Sequence, residues 1–542
     1  MLVHRLPVHW QQQHKPASHS YYDSPTSARL TASSGRCRAI PGLKAQAPRM
    51  ASFLKRSGWK LSSAPEDDRH SSPMVQQETG PETAPLKPKL KGVSGDAANP
   101  STWRIMGLEP SPELLAISMV YFVQGILGLA RLAVTYFYKD YFKLDPGTVA
   151  VLTSFGAAPW VVKPIYGFLS DTVPIFGYKR RSYLILCGLC GALSWSAMAT
   201  VVDSPTAATA AVILGSLGTA CSDVVVDSIV VERSRDQGQD MAGSLQSLCW
   251  GSAALGGVMS AYFSGSLVDA WGPRGVFAAT AVFPLIVSVA ALLISEKPTS
   301  LVPGAKVQLP AVEGLRASFL QQFQQLREAV TQRSIILPAL FVFLWQATPT
   351  ADTAMFFFET NKLGFTAEFL GRVRLAGALA SLAGVATYNG LLKQVPLRRM
   401  FLWTACIGTV LGLTQLLLIT GVNKELGLSN ELFVLGDSLV LTVLGQVSFM
   451  PVLVLAAQLC PEGVEATLFA TLMSILNGGA FVGSSGGALL TKVFGVTSTN
   501  FDRLAPLVLL CTLSSLAPLP LLGLVPDTKP GEEYKLTDKD DE

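Results

Sequence analysis

Residues 113–137 read ELLAISMVYFVQGILGLARLAVTYF, and this run decides the class of the protein. Only Glu113, at its start, and Arg131 carry a charge. A helix of about 20 predominantly apolar residues is long enough to cross the hydrocarbon core of a bilayer. The run therefore predicts a membrane-spanning helix. Runs of similar length and composition recur as far as residue 525, and we expect an integral membrane protein.

The composition favours the same class. The 542 residues are 49% hydrophobic and 15% charged, with a mean hydropathy of +0.38. Soluble domains carry about 25% charged residues, so this chain has too few of the residues that form a soluble surface. A soluble enzyme, a nucleic-acid-binding protein and a secreted disulfide scaffold are excluded. The formal net charge of +4 is small and does not indicate an acidic partner.

The apolar windows predict twelve spans, six on each side of a polar connection over residues 297–334. This arrangement predicts an all-α membrane protein built from two six-helix halves. The predicted spans are 113–137, 147–169, 182–202, 206–231, 241–267, 275–295, 335–357, 366–391, 397–420, 431–456, 464–491 and 504–525.

Two features recur at corresponding positions of the halves, as in transporters built from internal repeats. A segment of related sequence follows span 2 at Tyr166–Asp171 and follows span 8 at Tyr388–Lys393, each ahead of a cluster of basic residues. Small residues recur every four positions in spans 5 and 11, which predicts close helix approach. These residues are Ala253, Gly257, Ala261 and Gly265, and Gly479, Gly483 and Gly487.

The segments outside the spans set the predicted boundaries. Residues 1–65 are rich in Arg and Ser and contain one acid, Asp23, which is typical of an organelle transit peptide. We expect a disordered linker at 66–110, six-helix bundles at 111–296 and 335–526, and a polar tail at 527–542. The connection at 297–334 is expected to carry an interfacial helix. Because Lys and Arg concentrate on one side, both termini are expected to face that side, the cytosol or an organelle interior.

Ionisable residues within spans indicate function, since a charge at the centre of a membrane costs about 2.5–3.5 kcal/mol on insertion scales. Four of the six spans that carry them are 1, 4, 7 and 10, a period of three that predicts one central cavity. The residues are Arg131 in span 1, Lys163 in span 2, Asp223 and Asp227 in span 4, Asp352 in span 7, Arg372 and Arg374 in span 8, and Asp437 in span 10.

Each of these charges also has a purely structural interpretation. Asp227 can pair with Arg233 or Arg235, and Lys163 can extend its long side chain to the interface. Arg372, Arg374 and Asp437 lie early in their spans, where they can be interfacial. A further group in the loop after span 2 is expected to form a structural clamp rather than a ligand site. It consists of Asp171, Lys179, Arg180 and Arg181.

A cavity with fixed Arg and Lys side chains suits an anionic solute, whereas a carboxylate can pair with a flat heterocycle that carries an amino group beside a ring N–H. The intramembrane aspartates are also candidates to carry a coupling proton. All five histidines lie at or before His70, so the membrane region has no histidine-based metal site or catalytic dyad. No phosphate-binding Gly-x-x-x-x-Gly-Lys-Ser/Thr motif occurs. We therefore expect a secondary transporter, with no catalytic residue, metal or cofactor.

Particular stretches resemble a known family. Gly167–Asp171 followed by Gly177–Arg181 resembles the loop signature of the major facilitator superfamily. Within that superfamily, the chain resembles the folate–biopterin transporters, in particular plant and algal chloroplast members. The stretches that carry this resemblance are Tyr121–Gly125, Lys163–Gly167, Asp223–Ser228, Gly243–Ser247 and Cys460–Thr467.

The resemblance implies a 6+6 major facilitator-type fold and transport of folates or pterins by alternating access. It also implies a chloroplast envelope location, for which we take the inner membrane, with the termini in the stroma. The expected partners are the small-molecule substrate, the bilayer and protons, without nucleic acid, and the oligomeric state is left open. The binding or coupling role falls by resemblance on Arg131, Lys163, Asp223, Asp227, Asp352, Arg372 and Arg374.

Two alternatives remain at this point. The first is a transporter of the same fold for another charged metabolite, such as S-adenosylmethionine. The second is a polytopic membrane enzyme or a sensor, which the absence of histidines from the spans and the short tail disfavour.

Overall fold

The computed structural model describes residues 108–237, 239–298, 324, 331–392, 394–458 and 465–527. Contacts divide the chain into Met1–Asp96 and Ala97–Glu542, and every described residue belongs to the second unit. The predicted transit peptide, most of the linker and central connection, and nearly all of the polar tail lie outside the described residues. So do Lys393 and most of the Cys460–Thr467 stretch.

The described chain is helical and membrane-like. Nine of its helices are long and apolar enough to cross a membrane. One of them, Ser244–Leu293, passes through a break at Gly272 and supplies both span 5 and span 6. Arg333–Gln346 with Asp352–Phe357 forms span 7, and Glu465–Val493 forms span 11. The prediction of an all-α, twelve-span fold is confirmed. A short antiparallel bridge joins Ile175 and Tyr178 in the loop after span 2.

The helices of the first half are Pro112–Ile126, Leu129–Tyr136 and the π-turn Phe137–Tyr141 (span 1), Pro146–Ser154, Phe155–Ala157, Ala158–Val161 and Lys163–Thr172 (span 2), Arg181–Thr200 (span 3), Pro205–Gln237 (span 4), Gln239–Thr280 (span 5 and the start of span 6), and Val282–Ala290 and Ala291–Leu293 (span 6). Those of the second half are Arg333–Gln346, Asp352–Phe357 and the π-turn Phe358–Lys362 (span 7), Ala367–Thr387 and Tyr388–Leu392 (span 8), Leu397–Gly412 and Gln415–Thr420 (span 9), Val422–Glu425, Asn430–Gln458 (span 10), Glu465–Val493 (span 11), and Leu504–Ser514 and Leu519–Leu524 (span 12).

The two halves repeat one backbone pattern at an offset of 221 residues. The π-turn Phe137–Tyr141 of span 1 returns as Phe358–Lys362 in span 7. The same offset relates two backbone hydrogen bonds, Leu144 to Tyr138 at 3.1 Å and Phe365 to Glu359 at 3.0 Å. It also relates Lys143 and Gly364, which both have positive φ angles. This register makes Arg131 and Asp352 equivalent positions of the two halves.

The halves are joined at one membrane side and separate at the other. We call the side that carries Lys179, Arg180, Arg181, Arg398 and Arg399 the basic face, and the other side the opposite face. At the opposite face a single apolar core draws residues from both halves, such as Phe137, Phe277, Phe358 and Phe501. Toward the basic face each half has its own core. The space between the halves is therefore closed at the opposite face.

Hydrogen bonds between the halves reinforce that closure. Asp269 accepts a hydrogen bond of 2.7 Å from the backbone N–H of Glu368, at the start of span 8. Asp145 accepts one of 3.0 Å from the N–H of Ser498. Lys139 donates one of 2.8 Å to Asn361. Each of these contacts must break if the opposite face is to open.

The small-residue stripes bring backbones together, as predicted. A Cβ added at Gly479 would lie 2.7 Å from the carbonyl oxygen of Phe343, and one added at Gly483 would lie 2.7 Å from that of Gln346. In span 5, a Cβ added at Gly265 would lie 2.9 Å from the Cα atoms of Glu368 and Gly371. Span 11 therefore packs directly on the backbone of span 7, and span 5 on that of span 8.

We expect Gly265→Val to destabilise the protein because its side chain would force spans 5 and 8 apart. Overpacking of this kind costs about 1–3 kcal/mol. The measurement is the melting temperature of the purified full chain in detergent. Gly257→Val is the matched control, since it lies on the same stripe but a Cβ there meets nothing within 4 Å. Equal losses from both variants would show that the close approach to span 8 is not responsible.

Candidate functional site

Two arginines from different halves lie near each other. Arg131 lies in span 1, in the helix that begins at Leu129, and Arg374 lies in span 8. They are close enough for their positive charges to repel each other. Neither guanidinium has a carboxylate partner among the described residues. Arg131 is exposed although it lies deep in its span.

Lys163 forms an ion pair with Asp223, which joins span 2 to span 4. Both side chains are largely buried, with 12% and 13% of their surfaces exposed. The Lys163 ammonium also lies 4.9 Å from the centre of the Trp160 ring, a favourable cation–π contact. The long side chain of Lys163 therefore bonds within the bundle and does not extend to the interface.

Asp227 accepts a hydrogen bond from the hydroxyl of Tyr121 in span 1. The alternative partner considered from the sequence, Arg233, instead pairs with Glu113 at 2.6 Å and donates to Ser111 at 3.0 Å. Asp223 and Asp227 lie one turn apart on span 4, so the Lys163 pair and the Tyr121 hydrogen bond form neighbouring polar contacts inside the first half.

Asp352 begins the second helix of span 7, after the non-helical residues 347–351. Its carboxylate accepts a hydrogen bond from the side chain of Thr350 and pairs with no Lys or Arg in the described part of the chain. Asp352 and Asp437 both lie close enough to Glu359 for their negative charges to act on its carboxyl group. Sequence reasoning missed Glu359, because it lies two residues beyond the predicted end of span 7 at residue 357.

Arg372 lies apart from these groups. It pairs with Glu368, four residues earlier on span 8, and 71% of its side chain is exposed. Asp437 accepts a hydrogen bond of 2.5 Å from Thr414 in span 9. Of the sequence-predicted residues, the structure thus brings together Arg131 with Arg374, and Lys163 with Asp223.

The loop after span 2 is organised around Arg180. Its guanidinium pairs with Asp171 at 2.6 Å and with Glu232 of span 4 at 2.7 Å. Burial lowers the pKa of Arg180, but the hydrogen bond to Glu232 and the charge of Asp171 outweigh this effect, so the pKa is raised. Glu296 accepts the backbone N–H groups of Lys179 and Arg181 at 2.6 and 2.9 Å. Neither Glu232 nor Glu296 could be assigned from the sequence, since they lie far along the chain.

The arrangement separates charge by position. The first half holds a compensated pair, Lys163 with Asp223. Among the described residues, Arg131 and Arg374, one from each half, have no carboxylate partner, and Asp352 and Glu359 in the second half pair with no Lys or Arg. Such a site can bind an anion between the halves and can hold a donor or a proton in the second half.

Comparison with known proteins places these features in a family context. The BT1 family profile matches residues 124–541. A folate-biopterin transporter of Synechocystis sp. is 50% identical over 81% of this chain and 86% of its own length. Folate transporter 2 of Plasmodium falciparum is 31% identical over 78% of this chain and 90% of its own. Probable folate-biopterin transporter 2 of Arabidopsis thaliana is 32% identical over 76% of this chain and 82% of its own length.

Solved structures of similar fold are membrane transporters. The nucleoside transporter NupG matches with a TM-score of 0.55 and 14% identity, over 76% of this chain and 98% of its own. A D-xylose–proton symporter matches with a TM-score of 0.54 and 15% identity, over 77% of this chain and 99% of its own. At this level of identity the likeness concerns the fold alone.

We expect Lys163→Met to destabilise the protein by about 3–5 kcal/mol, because it leaves the Asp223 carboxylate buried without its partner. The double variant Lys163→Met with Asp223→Leu removes both charges and should recover most of this loss. Melting temperatures of the single and double variants in detergent measure the coupling. If the double variant is as unstable as Lys163→Met alone, the ion pair does not explain the loss.

Proposed function

The chain belongs to the BT1 family, and we propose from that premise that it carries folates, pterins or both across a membrane by alternating access. Its relative in Synechocystis is named a folate-biopterin transporter, that in Plasmodium falciparum a folate transporter, and that in Arabidopsis a probable folate-biopterin transporter. The multi-pass fold and its closed opposite face are consistent with transport.

The observation that carries the proposal is the pair Arg131 and Arg374. One arginine comes from each half, and the two lie close enough for their charges to interact, without a carboxylate partner among the described residues. Two cations held together inside a membrane protein are stabilised by an anionic ligand. The carboxylates of a folate glutamate tail supply that charge. A cationic metabolite such as S-adenosylmethionine would add to the repulsion, so the arginine pair disfavours it.

We assign the other charges to coupling and to the heterocycle. Asp227, with Tyr121, and Asp223, with Lys163, lie in the first half where a proton can be exchanged between span 4 and its neighbours. Asp352 lies in the second half and is free to accept donors from a ligand. Arg372, which pairs with Glu368 and is mostly exposed, does not take part in binding in this proposal.

The two six-helix bundles, 111–296 and 335–526, are the bodies that move against each other. Their cores merge at the opposite face and are separate toward the basic face, which supports a state open to the basic face. Transport requires the hydrogen bonds at Asp145 and Asp269 to break, so that the opposite face opens and the basic face closes.

We further propose a chloroplast location. The composition of residues 1–65 supports a transit peptide, and the bias of Lys and Arg toward the basic face supports a stromal position for both termini. The protein then lies in the inner envelope membrane. Import assays with isolated chloroplasts, followed by protease protection, test this location.

We expect Arg374→Gln to weaken folate uptake by about 10- to 100-fold at limiting concentration, since a charge-assisted hydrogen bond contributes about 1.5–3 kcal/mol. Uptake of free pterin, which has no carboxylate, should change little. The measurement is uptake of both labelled compounds by proteoliposomes containing the full chain. Arg372→Gln is the matched control, two residues away on the same helix.

Two results would contradict this proposal. Equal effects of Arg372→Gln and Arg374→Gln on folate uptake would remove the assigned role of the arginine pair. Absence of both folate and pterin uptake by well-folded wild-type protein would remove the substrate assignment and leave only the family and the fold.

Proton coupling has its own test. We expect Asp227→Asn to abolish folate accumulation driven by a pH gradient while retaining exchange of labelled for unlabelled folate, because exchange does not require net proton movement. Both are measured in the same proteoliposomes. Loss of exchange together with accumulation, or an unchanged response to the gradient, would contradict a coupling role for Asp227.

A further inference from the structure

The second half contains a cavity that the arginine pair does not occupy. It lies between spans 7, 9, 10 and 12 and has a volume of about 410 Å³. Small-molecule sites in proteins typically measure about 300–1,000 Å³, so the cavity is large enough for a bicyclic heterocycle. Asp352 lines it, and the side chain is exposed within the bundle because it faces this space.

The corresponding space in the first half is nearly filled. Between spans 1, 3, 4 and 6 only about 10 Å³ remains, around Gln124. Gly191 lies against Pro284, so that an added Cβ would approach the proline ring to 3.0 Å. Because the two halves share one backbone pattern, an open interior is not a general property of the repeat. At corresponding positions the second half thus holds about 410 Å³ of open space and the first half about 10 Å³.

The walls of the cavity combine one acid with amide and aromatic groups. Gln346 and Gln415 provide amides, and Trp345 and Phe449 provide ring faces. Trp345 is held in place by Phe401, with ring centres 5.3 Å apart. The non-helical segment that precedes Asp352 is fixed from behind by span 11, where Gly483 allows the carbonyls of Gln346 and Thr348 to approach closely. The acid is therefore presented by a firmly packed backbone.

The chemistry of this wall defines a ligand class. The Asp352 carboxylate accepts one hydrogen bond from Thr350, and because an ionised carboxylate has about four lone-pair sites, it can still accept two adjacent donors, as in bidentate pairing with a guanidinium. A pterin ring carries such a pair, a 2-amino group beside a ring N–H. Flat rings also stack favourably on aromatic side chains. The acids around Asp352 further favour a ligand that presents donors over one that presents acceptors.

We propose that this cavity is the subsite for the heterocyclic ring of the substrate, with Asp352 as acceptor for its amino group and adjacent ring N–H. This inference rests on the proposed function and deepens it. Arg131 and Asp352 are equivalent positions of repeats related by an axis along the membrane normal, so they lie at similar depth. A ligand with donors at one end and carboxylates at the other is complementary to both sites at once.

Filling the cavity tests the proposal without changing a charge. Gly445 lines the cavity, and a Cβ added there meets nothing within 4 Å, so Gly445→Leu places its side chain in the open space. Gly436→Leu is the matched control, because it lies on the same helix, has equally open surroundings and does not line the cavity. Gly408→Val, where an added Cβ makes an ordinary contact of 3.5 Å with Leu444, fills the cavity from span 9 if Gly445→Leu does not fold.

The probes are free pterin, folate and p-aminobenzoylglutamate, which lacks the pterin ring, each bound to the full chain in detergent. We expect Gly445→Leu and Asp352→Asn to weaken pterin binding at least about tenfold, the loss of one hydrogen bond to a charged group. The dissociation constant of p-aminobenzoylglutamate should change less than about twofold in the same variants. Arg374→Gln should give the reverse pattern, and Gly436→Leu should leave all three affinities unchanged.

Other outcomes overturn the inference. If a folded Gly445→Leu or Gly408→Val variant binds pterin as tightly as the wild type, the ring does not occupy this cavity, and the proposed function stands. If Asp352→Asn weakens the binding of pterin and of p-aminobenzoylglutamate equally, Asp352 does not bind the heterocycle. A cation or a proton is then the better occupant of the site at Asp352. If the wild type binds none of the three probes, the proposed function fails and the subsite with it.

Discussion

A charge placed inside a bilayer needs a partner, and this chain meets that requirement differently in its two halves. In the first half, Lys163 is paired with Asp223 and Asp227 is hydrogen-bonded to Tyr121, so these charges help to hold spans 1, 2 and 4 together. Arg131 and Arg374, one from each half, lie near each other without a carboxylate partner among the described residues. In the second half, Asp352 faces a cavity. The unequal distribution makes the first half a stable frame, and in the proposed function the remaining charges are available to a ligand.

The two halves share one backbone pattern but carry different charges on it. The π-turns of spans 1 and 7, their hydrogen bonds and their positive-φ residues coincide at an offset of 221 residues. At equivalent positions one half carries Arg131 and the other Asp352. The same backbone therefore presents opposite charges on either side of the space between the halves. A substrate with an anionic end and a donor-rich end fits that asymmetry.

Alternating access depends on contacts that are strong enough to close one face and weak enough to open. At the opposite face the halves share an apolar core and the hydrogen bonds of Asp145 and Asp269, while glycine contacts let spans 5 and 8 approach closely. Toward the basic face the cores belong to separate halves. The clamp of Asp171, Arg180 and Glu232 ties span 2 to span 4 within the first half, so that this half can move as one body.

The twelve spans, the two related halves and the placement of charges on spans 1, 4, 7 and 10 could all be derived from the sequence, because hydropathy and periodicity are local properties of each segment. The stretches that resemble the family could be recognised for the same reason. Which charges pair could not be derived: Asp227 bonds to Tyr121, 106 residues away, and Arg233 to Glu113, although a partner on the same helix was the simpler expectation. Glu296, which holds the loop before span 3, lies 116 residues from Arg180, and the cavity beside Asp352 depends on how four helices pack. These features depend on the rotation and spacing of helices that are distant in sequence, so only the tertiary structure decides them.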